Sequence, residues 1–287
     1  MEEEREIMRT AIVTDSTVYL PIEERERYNI HIVPISVHFD DTTFEEEITL
    51  SLEQFYEIVH TTKKFPKTSQ PPIGKFVELY ERLAKEYDEI VSIHISSGVS
   101  GTYDCAIQAA QLVDTVKIYT FDSGVAGGPL ASFTIEAAKL AANGASADQI
   151  LARLEDLQTS LDAYFIVDNL VHLQRSGRLS VTSSIIGSLL QIKPILHMKN
   201  KKIAVFEKVR TKRKALQRVK EILHQAVEKY GDLQAVVMHV NCEQQGRTWM
   251  EKLQSTYPTV HFKLAYFGPS LATHLGEGTL AISWMKK

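Results

Sequence analysis

The chain has 287 residues, which is long for one small core and suits two α/β domains. Its composition, with 44% apolar and 24% charged residues, is typical of a soluble globular protein. A net charge of −4 argues against a protein that binds duplex nucleic acid, because such a protein normally carries a basic surface. No apolar run reaches the length of a membrane span.

The two cysteines, Cys105 and Cys242, lie far apart and have no neighbours at metal-ligand spacing. We therefore expect reduced thiols, a cytoplasmic location and no metal site. The opening from Met1 to Glu6 is acidic and unlike a signal peptide, so residues 1–9 are expected to form a tail before the first strand.

Strands and helices alternate over the first half of the chain, which predicts a mostly parallel sheet flanked by helices. Strands are predicted over residues 10–14, 30–39, 90–95 and 116–121. Two helices are expected to begin at capping boxes, Ser51 with Gln54 and Ser146 with Gln149. The prolines within residues 65–72 exclude a helix and hold that segment extended.

The pattern changes near residue 160. A strand is predicted over 164–167, a polar flexible stretch over 173–180, a short helix over 185–190 and a glycine-rich loop over 267–278. Strands over 192–197 and 203–209 should form a hairpin, and a long amphipathic helix should end at Gly231. We therefore expect an N-terminal α/β domain over 10–159 and a C-terminal α+β domain over 160–287.

The most distinctive segment follows the apolar strand 90–95 and reads Ser96-Ser97-Gly98-Val99-Ser100-Gly101-Thr102. A strand, a glycine-rich turn and a helix point free backbone N–H groups at one place, and the start of the helix adds a partial positive charge. The hydroxyl groups add further donors, so the turn is predicted to hold a small anionic group such as a carboxylate or a phosphate. Helix capping and turn formation are the simpler interpretation, but the segment holds more hydroxyl groups than capping needs.

Five stretches, taken in order, resemble the DegV family of fatty-acid-binding proteins. They are Asp15-Ser16-Thr17, Thr68-Ser69-Gln70-Pro71, Ser96 to Tyr103, Gly177-Arg178-Leu179-Ser180 with Ile192-Lys193-Pro194-Ile195-Leu196, and Gly268-Pro269 with His274-Leu275-Gly276. Each motif is weak alone, but the ordered set covers nearly the whole chain. Two positions depart from the family pattern: Lys201 stands where the hairpin often has glycine, and Glu277 where the last loop often has proline.

The resemblance implies a two-domain DegV-like fold with a long-chain fatty acid in a tunnel at the domain interface. By matching position, the fatty-acid carboxylate would be held by Thr68, Ser97 and His274. The supporting anion turn would be formed by Ser69, Ser96, Gly98 and Ser100. Ser96 and Ser100 lie so close to Ser97 that either could take its role.

The resemblance also implies a carrier without chemistry of its own and without a cofactor, whose ligand is the fatty acid. It would present the carboxylate to a separate ATP-dependent fatty-acid kinase, which makes acyl phosphate for lipid metabolism and phospholipid synthesis. No nucleic-acid partner and no transmembrane segment are expected, although the protein could touch a membrane surface transiently.

Basic residues concentrate between Lys199 and Lys220. A solvated hairpin and helix face is the simpler interpretation, and a docking patch for the kinase is the functional one. Arg210, at the junction of a strand and a helix, is the first candidate, followed by Arg175 and Arg178.

Two other functions stay open at this point. A serine-dependent acyl or lipid hydrolase could use Ser97 or Ser100 with His274, but the turn lacks the Gly-x-Ser-x-Gly nucleophile elbow and an acid that would orient the histidine. A protein that binds a nucleotide or a sugar phosphate could use the same turn, but no lysine follows its last glycine.

Overall fold

The computed structural model describes residues 9–179 and 193–287. Its helices are α1 (Ile22–Arg27), α2 (Leu52–Thr62), α3 (Ile73–Leu83), α4 (Thr102–Ala110), α5 (Gly128–Ala142), α6 (Ala147–Gln158), α7 (Val171–Ser176), α8 (Lys212–Tyr230), α9 (Glu243–Thr256) and α10 (Pro269–Leu275). Its strands are β1 (Thr10–Asp15), β2 (Ile30–Val33), β3 (Ser36–Phe39), β4 (Thr42–Glu45), β5 (Lys67–Ser69), β6 (Glu89–His94), β7 (Lys117–Asp122), β8 (Asp162–Ile166), β9 (Ile195–Lys199), β10 (Lys202–Glu207), β11 (Leu233–His239), β12 (His261–Tyr266) and β13 (Leu280–Lys286). The fold is mixed α/β, with a parallel sheet flanked by helices and a second sheet that follows it in the chain.

The first sheet is parallel and has the strand order β2-β1-β6-β7. Its central strands are buried on both faces, which explains their continuous apolar sequence. Ala11 and Val13 of β1 pack with α3 and α4, while Ile12 between them packs with α5 on the opposite face. The alternation of side chains along β1 thus joins two helical layers to one sheet.

The predicted strand over 30–39 is wrong as a single element. It is divided into β2 and β3 at Pro34, which has no N–H to donate to a strand ladder. β3 instead forms the centre of a small antiparallel sheet, β4-β3-β5. In that sheet Thr68 lies opposite Val37, so the proline-bounded segment is held in place as a strand.

The six-stranded sheet has the order β10-β9-β8-β13-β11-β12. Its β11–β12 pair is parallel and its other neighbouring pairs are antiparallel. One face packs under α8 and α9 through residues such as Val237 and Ile282. The other face, with Phe165, Val236 and Met238, joins the same apolar core as α5 of the first half.

Several local predictions are confirmed. Both capping boxes form as reciprocal hydrogen bonds at the starts of α2 and α6. The hairpin forms between β9 and β10, and its turn places Asn200 and Lys201 at positive φ angles of 49° and 66°. A lysine therefore occupies a left-handed position that usually favours glycine.

Other predictions need correction. Residues 173–176 of the stretch predicted to be flexible belong to α7, because Leu173 is buried in the core. Residues 269–275 of the predicted loop form α10, which begins with a proline in its first turn, where its missing N–H costs nothing. The helix predicted over 185–190 and the residues Ser180 and Ile192 lie outside the described ranges.

The strands of the two smaller sheets all precede residue 160, and those of the six-stranded sheet all follow it. The division into a tail over 1–9 and domains over 10–159 and 160–287 stays a prediction. In the ranges 9–179 and 193–287, no helix combines the length and the apolar character needed to cross a bilayer.

Candidate functional site

A cavity lies where the parallel sheet, the small antiparallel sheet, the six-stranded sheet and α10 meet. Most of its lining is apolar: Ile35, Ile95, Val99, Val125, Ala126, Phe165, Met198, Ile203, Phe267, Leu271 and Leu275. The polar lining consists of Thr17, Thr68, Ser69, Gln70, Ser100, Arg178, Ser270 and His274. A cavity of this kind suits a ligand with an apolar part and a small polar group.

Thr68 and His274, which are 206 residues apart in the chain, meet in this cavity. The Thr68 hydroxyl and His274 Nε2 are 2.7 Å apart and share a hydrogen bond. β5 holds the threonine against β3, and α10 carries the histidine. The structure therefore brings together two of the three residues predicted to bind a carboxylate.

His274 is neutral at physiological pH. Burial, and then the charge of Arg178 and the nearby His172 ring, lower the pKa of its imidazole to about 4. Its Nδ1 atom is buried and has no hydrogen-bond partner in the part of the chain that the structure describes. If Nε2 accepts from Thr68, Nδ1 carries the proton and is an unpaired donor.

The serine hydroxyl groups of the glycine-rich turn lie in different surroundings. Ser100 lines the cavity, and its Oγ lies 2.9 Å from that of Thr102. The Ser97 hydroxyl instead donates to Asp122 Oδ2 at 2.5 Å, outside the cavity lining. Ser100, rather than Ser97, is thus the serine placed to reach a ligand in the cavity.

Two other residues of the turn, Ser96 and Gly98, contact the β9–β10 hairpin. The Ser96 hydroxyl donates to the Lys201 carbonyl at 2.7 Å, and a Cβ atom on Gly98 would overlap that same carbonyl oxygen. Lys201 Nζ lies 2.8 Å from Asp122 Oδ2. Burial would raise the pKa of Asp122, but hydrogen bonds from Lys201 and Ser97 outweigh it and keep the pKa below its usual value.

The three candidate docking arginines lie in different environments. Arg178 lines the cavity, and its Nε donates to the Val99 carbonyl at 3.3 Å. The Arg175 guanidinium lies 4.0 Å from the centre of the Phe65 ring, as in a cation–π contact. Arg210 is exposed between β10 and α8. Only Arg178 of these three touches the cavity.

Asp15, in the first of the family motifs and at the end of β1, is fully buried and structural. It accepts hydrogen bonds from the Thr17 backbone and hydroxyl and from the Ile95 N–H, and it contacts His94 Nδ1 at 3.1 Å. Asp15 therefore caps the turn that follows β1. Thr17 nevertheless lines the cavity.

Glu46 is a residue that the sequence analysis did not identify. Its carboxyl group is fully buried and accepts hydrogen bonds from Ser16, Tyr19 and Ser270. Within the sequence it is the middle residue of the run Glu45-Glu46-Glu47, which is typical of a solvated surface. No local pattern distinguishes it from its neighbours, because its partners come from distant parts of the chain.

The arrangement does not support a serine hydrolase. His274 is bonded to Thr68, whereas Ser97 and Ser100 are bonded to Asp122 and Thr102. No acid among the described residues bonds His274 Nδ1 to orient it. A search of the described part of the chain also gives no group of three His, Cys, Asp or Glu side chains arranged to hold a metal ion.

Comparison with known proteins shows the family of this chain. A family model described as "Uncharacterised protein, DegV family" matches residues 9–287. The chain is 47% identical over 281 residues to protein DegV of Bacillus subtilis (strain 168), covering 98% of this chain and 100% of that protein. The crystal structure of DegV from Bacillus subtilis, described as a fatty acid binding protein, has a TM-score of 0.92 at 46% identity, covering 98% of this chain and 100% of that one.

A more distant structure, a stearic acid-binding protein from Eubacterium ventriosum ATCC 27560, has a TM-score of 0.87 at 25% identity and covers 97% of this chain and 98% of its own. The family match and the curated relative both extend over nearly the whole sequence. The chain therefore belongs to the DegV family.

Proposed function

We propose that this protein binds a long-chain fatty acid in the described cavity, with the acyl chain among the apolar residues and the carboxyl group at Thr68, Ser100 and His274. The observation that carries the proposal is the Thr68–His274 pair, bonded to each other at one wall of a largely apolar cavity. Relatives that cover nearly the whole chain are described as fatty-acid-binding proteins.

The polar groups at this wall suit a carboxylate. Hydroxyl groups can donate to its oxygens, and an imidazole with a free Nδ1 can add a further hydrogen bond. Arg178 adds a positive charge to the lining, which favours an anion. A buried carboxylate needs such partners, since without them it would take up a proton instead.

The acyl chain would supply most of the binding free energy. At roughly 0.8 kcal/mol per buried CH₂ group, a long chain contributes on the order of 10 kcal/mol before the cost of ordering it. One neutral hydrogen bond contributes only about 1 kcal/mol. The polar residues would therefore set the orientation of the head group more than the total affinity.

We further propose that the bound fatty acid is presented to an ATP-dependent fatty-acid kinase in the cytoplasm. The kinase would transfer the γ-phosphoryl group of ATP to a carboxylate oxygen and release acyl phosphate and ADP. In this scheme the protein described here carries the substrate and performs no bond chemistry itself. The three proposed ligands, Thr68, Ser100 and His274, are neutral, and the Arg178 guanidinium donates to the Val99 and Ser176 carbonyls. This supports the scheme, because neutral ligands release the carboxylate more easily than a direct ion pair would.

The first test is to identify what the protein carries. Native mass spectrometry of protein purified from cells, followed by denaturing release, should give about one fatty acid per chain. The released acid also gives the chain length and the degree of unsaturation. A protein that is empty and that fails to bind added palmitate would refute the fatty-acid proposal.

Removing a head-group hydroxyl should affect transfer more than binding. Thr68→Val and Ser100→Ala should each weaken palmitate binding by less than about tenfold, because each loses one hydrogen bond. Both should reduce ATP-dependent formation of acyl phosphate, trapped with hydroxylamine, by a larger factor. Ser97→Ala is the matched control, because the Ser97 hydroxyl donates to Asp122 rather than facing the cavity. This variant should leave the ratio of transfer rate to palmitate affinity unchanged.

Charge reversal at Arg210 tests the proposed kinase contact. Arg210→Glu should reduce transfer to the kinase severalfold without changing palmitate affinity, because the residue is exposed and outside the cavity lining. Arg213→Glu, which makes the same charge change on the exposed part of α8, is the control. Equal losses in both variants would mean general electrostatic attraction and would rule out a specific role for Arg210.

A further inference from the structure

The carboxyl group of Glu46 joins two parts of the molecule that are far apart in sequence. It lies in the segment between β4 and α2 and has an exposed fraction of 0%. From the segment after β1 it receives the Ser16 hydroxyl at 2.6 Å and the Tyr19 hydroxyl at 3.1 Å. From the first turn of α10 it receives the Ser270 N–H at 2.7 Å and the Ser270 hydroxyl at 2.9 Å.

These hydrogen bonds act on the helix that carries the proposed head-group histidine. Ser270 and His274 are four residues apart on α10, so they share one helix face, and both line the cavity. Glu46 itself is not part of the lining. Its contact with Ser270 therefore acts on the ligand only through α10.

Tyr19 strengthens the same connection. Its hydroxyl lies 2.9 Å from Ser270 Oγ and accepts from the Leu271 N–H at 3.3 Å. Its ring packs so closely on the start of α10 that a Cβ atom on Gly268 would overlap it. The start of α10 is thus held from two sides, by a carboxyl group and by an aromatic ring.

We propose that Glu46 is a positioning residue, which holds Ser270 and thereby fixes α10 so that His274 faces the carboxyl group of the bound fatty acid. This inference rests on the proposed fatty-acid binding. It assigns to a residue outside the cavity a role in recognising the head group rather than the acyl chain.

The neighbouring Glu47 provides a matched control. It pairs with Arg25 and accepts a 3.5 Å hydrogen bond from Tyr266, and neither partner belongs to α10. Glu47→Gln therefore changes the adjacent carboxylate while leaving the Ser270 contacts in place. Glu46→Gln is the conservative variant, because an amide oxygen can still accept from Ser270 and the amide group can donate to hydroxyls that reverse.

The experiment compares the affinities of each variant for palmitic acid and for hexadecanol, which has the same chain but no carboxyl group. In Glu46→Ala, the preference for the acid should fall by about tenfold, while hexadecanol affinity should change by less than about threefold. Glu46→Gln should retain most of the preference, and Glu47→Gln all of it. Glu46→Asp, whose shorter side chain withdraws the carboxylate from its donors, should lower the preference as well and replaces the alanine variant if that variant does not fold.

Equal weakening of both ligands in Glu46→Ala or Glu46→Asp would show a merely structural role and would overturn the proposal. An unchanged preference in these variants would overturn it too. A wild-type protein that binds hexadecanol and palmitic acid equally, or neither of them, would instead refute the proposed carboxyl site, and the role of Glu46 with it. The wild-type measurement therefore separates the two failures.

Discussion

Gly98→Ala should lower the free energy of unfolding by about 3 kcal/mol or more, which places it among strongly destabilising substitutions. A Cβ atom at residue 98 would overlap the carbonyl oxygen and carbon of Lys201. These are backbone atoms of the β9–β10 turn, so they cannot move aside as a flexible side chain can. The turn would have to move away and lose the hydrogen bond from Ser96 to Lys201 and the ion pair with Asp122.

Urea unfolding measured against Gly74→Ala checks this expectation. No atom of residues 9–179 and 193–287 lies within 4 Å of a Cβ atom placed on Gly74, which is in α3. Alanine there should be neutral or should stabilise by up to about 1 kcal/mol, since it is the better helix former. Similar stabilities for the two variants would mean that the hairpin does not rest against Gly98 in solution. A destabilised Gly98→Ala protein should also bind palmitate more weakly, because Met198 and Ile203 of the hairpin line the cavity.

Glu46 should make the protein less stable as the pH rises from about 5 to 8. Burial raises the pKa of its carboxyl group from the ordinary 4.5 to about 7, although hydrogen bonds from Ser16 and Ser270 oppose the shift. The folded protein therefore keeps this proton to a higher pH than the unfolded chain does. The resulting stabilisation is fully present below pH 4.5 and is lost as the pH rises through 7, which amounts to roughly 2 to 3 kcal/mol between pH 5 and 8.

Histidines with lowered pKa values have the opposite effect over part of this range, because they make the protein more stable as the pH rises. Burial lowers the pKa of His274 to about 4, and the pKa values of His31, His197 and His239 are lowered too. Their contribution to stability is present above about pH 6.5 and is lost as the pH falls through the lowered values. The pH dependence of the wild type alone thus does not isolate the effect of Glu46.

The difference between wild type and Glu46→Gln does isolate it. The free energy of unfolding of the glutamine variant, taken relative to wild type, should be roughly 2 to 3 kcal/mol higher at pH 8 than at pH 5, as measured by urea unfolding at both values. Glu53→Gln, which removes an exposed carboxylate from the first turn of α2, controls for the loss of one charge. A difference that is the same at pH 5 and pH 8 would contradict the raised pKa of Glu46.

Local features were the ones that could be predicted. The capping boxes at Ser51 and Ser146 were recognised because each is a reciprocal contact within three residues. The predicted strand over 30–39 failed at Pro34, where an apolar pattern continued through a residue that breaks the strand ladder. Apolar periodicity reports which side chains are buried, and it does not report which strand pairs with which.

The candidate site was predicted in outline from the motifs and the family resemblance. Thr68 and His274 were named together, and the structure places them 2.7 Å apart. The assignment within the glycine-rich turn could not be made in the same way. Ser97 and Ser100 are the same residue type, and they differ in their surroundings. The Ser97 hydroxyl donates to Asp122, whereas Ser100 lines the cavity.

The alternation of strands and helices, the positions of caps and turns, and the segments that build the site can all be predicted from the amino-acid sequence. These features depend on interactions between residues a few positions apart, or on the burial of apolar periods, and both can be recognised in one dimension. Three features could not be predicted in this way and are seen only in the folded chain. Ser100 lines the cavity, the hairpin lies against Gly98, and Glu46 is buried against Ser270. Hydrogen bonds and close packing between groups as far as 224 residues apart require a backbone that is already placed, and no local pattern contains that placement.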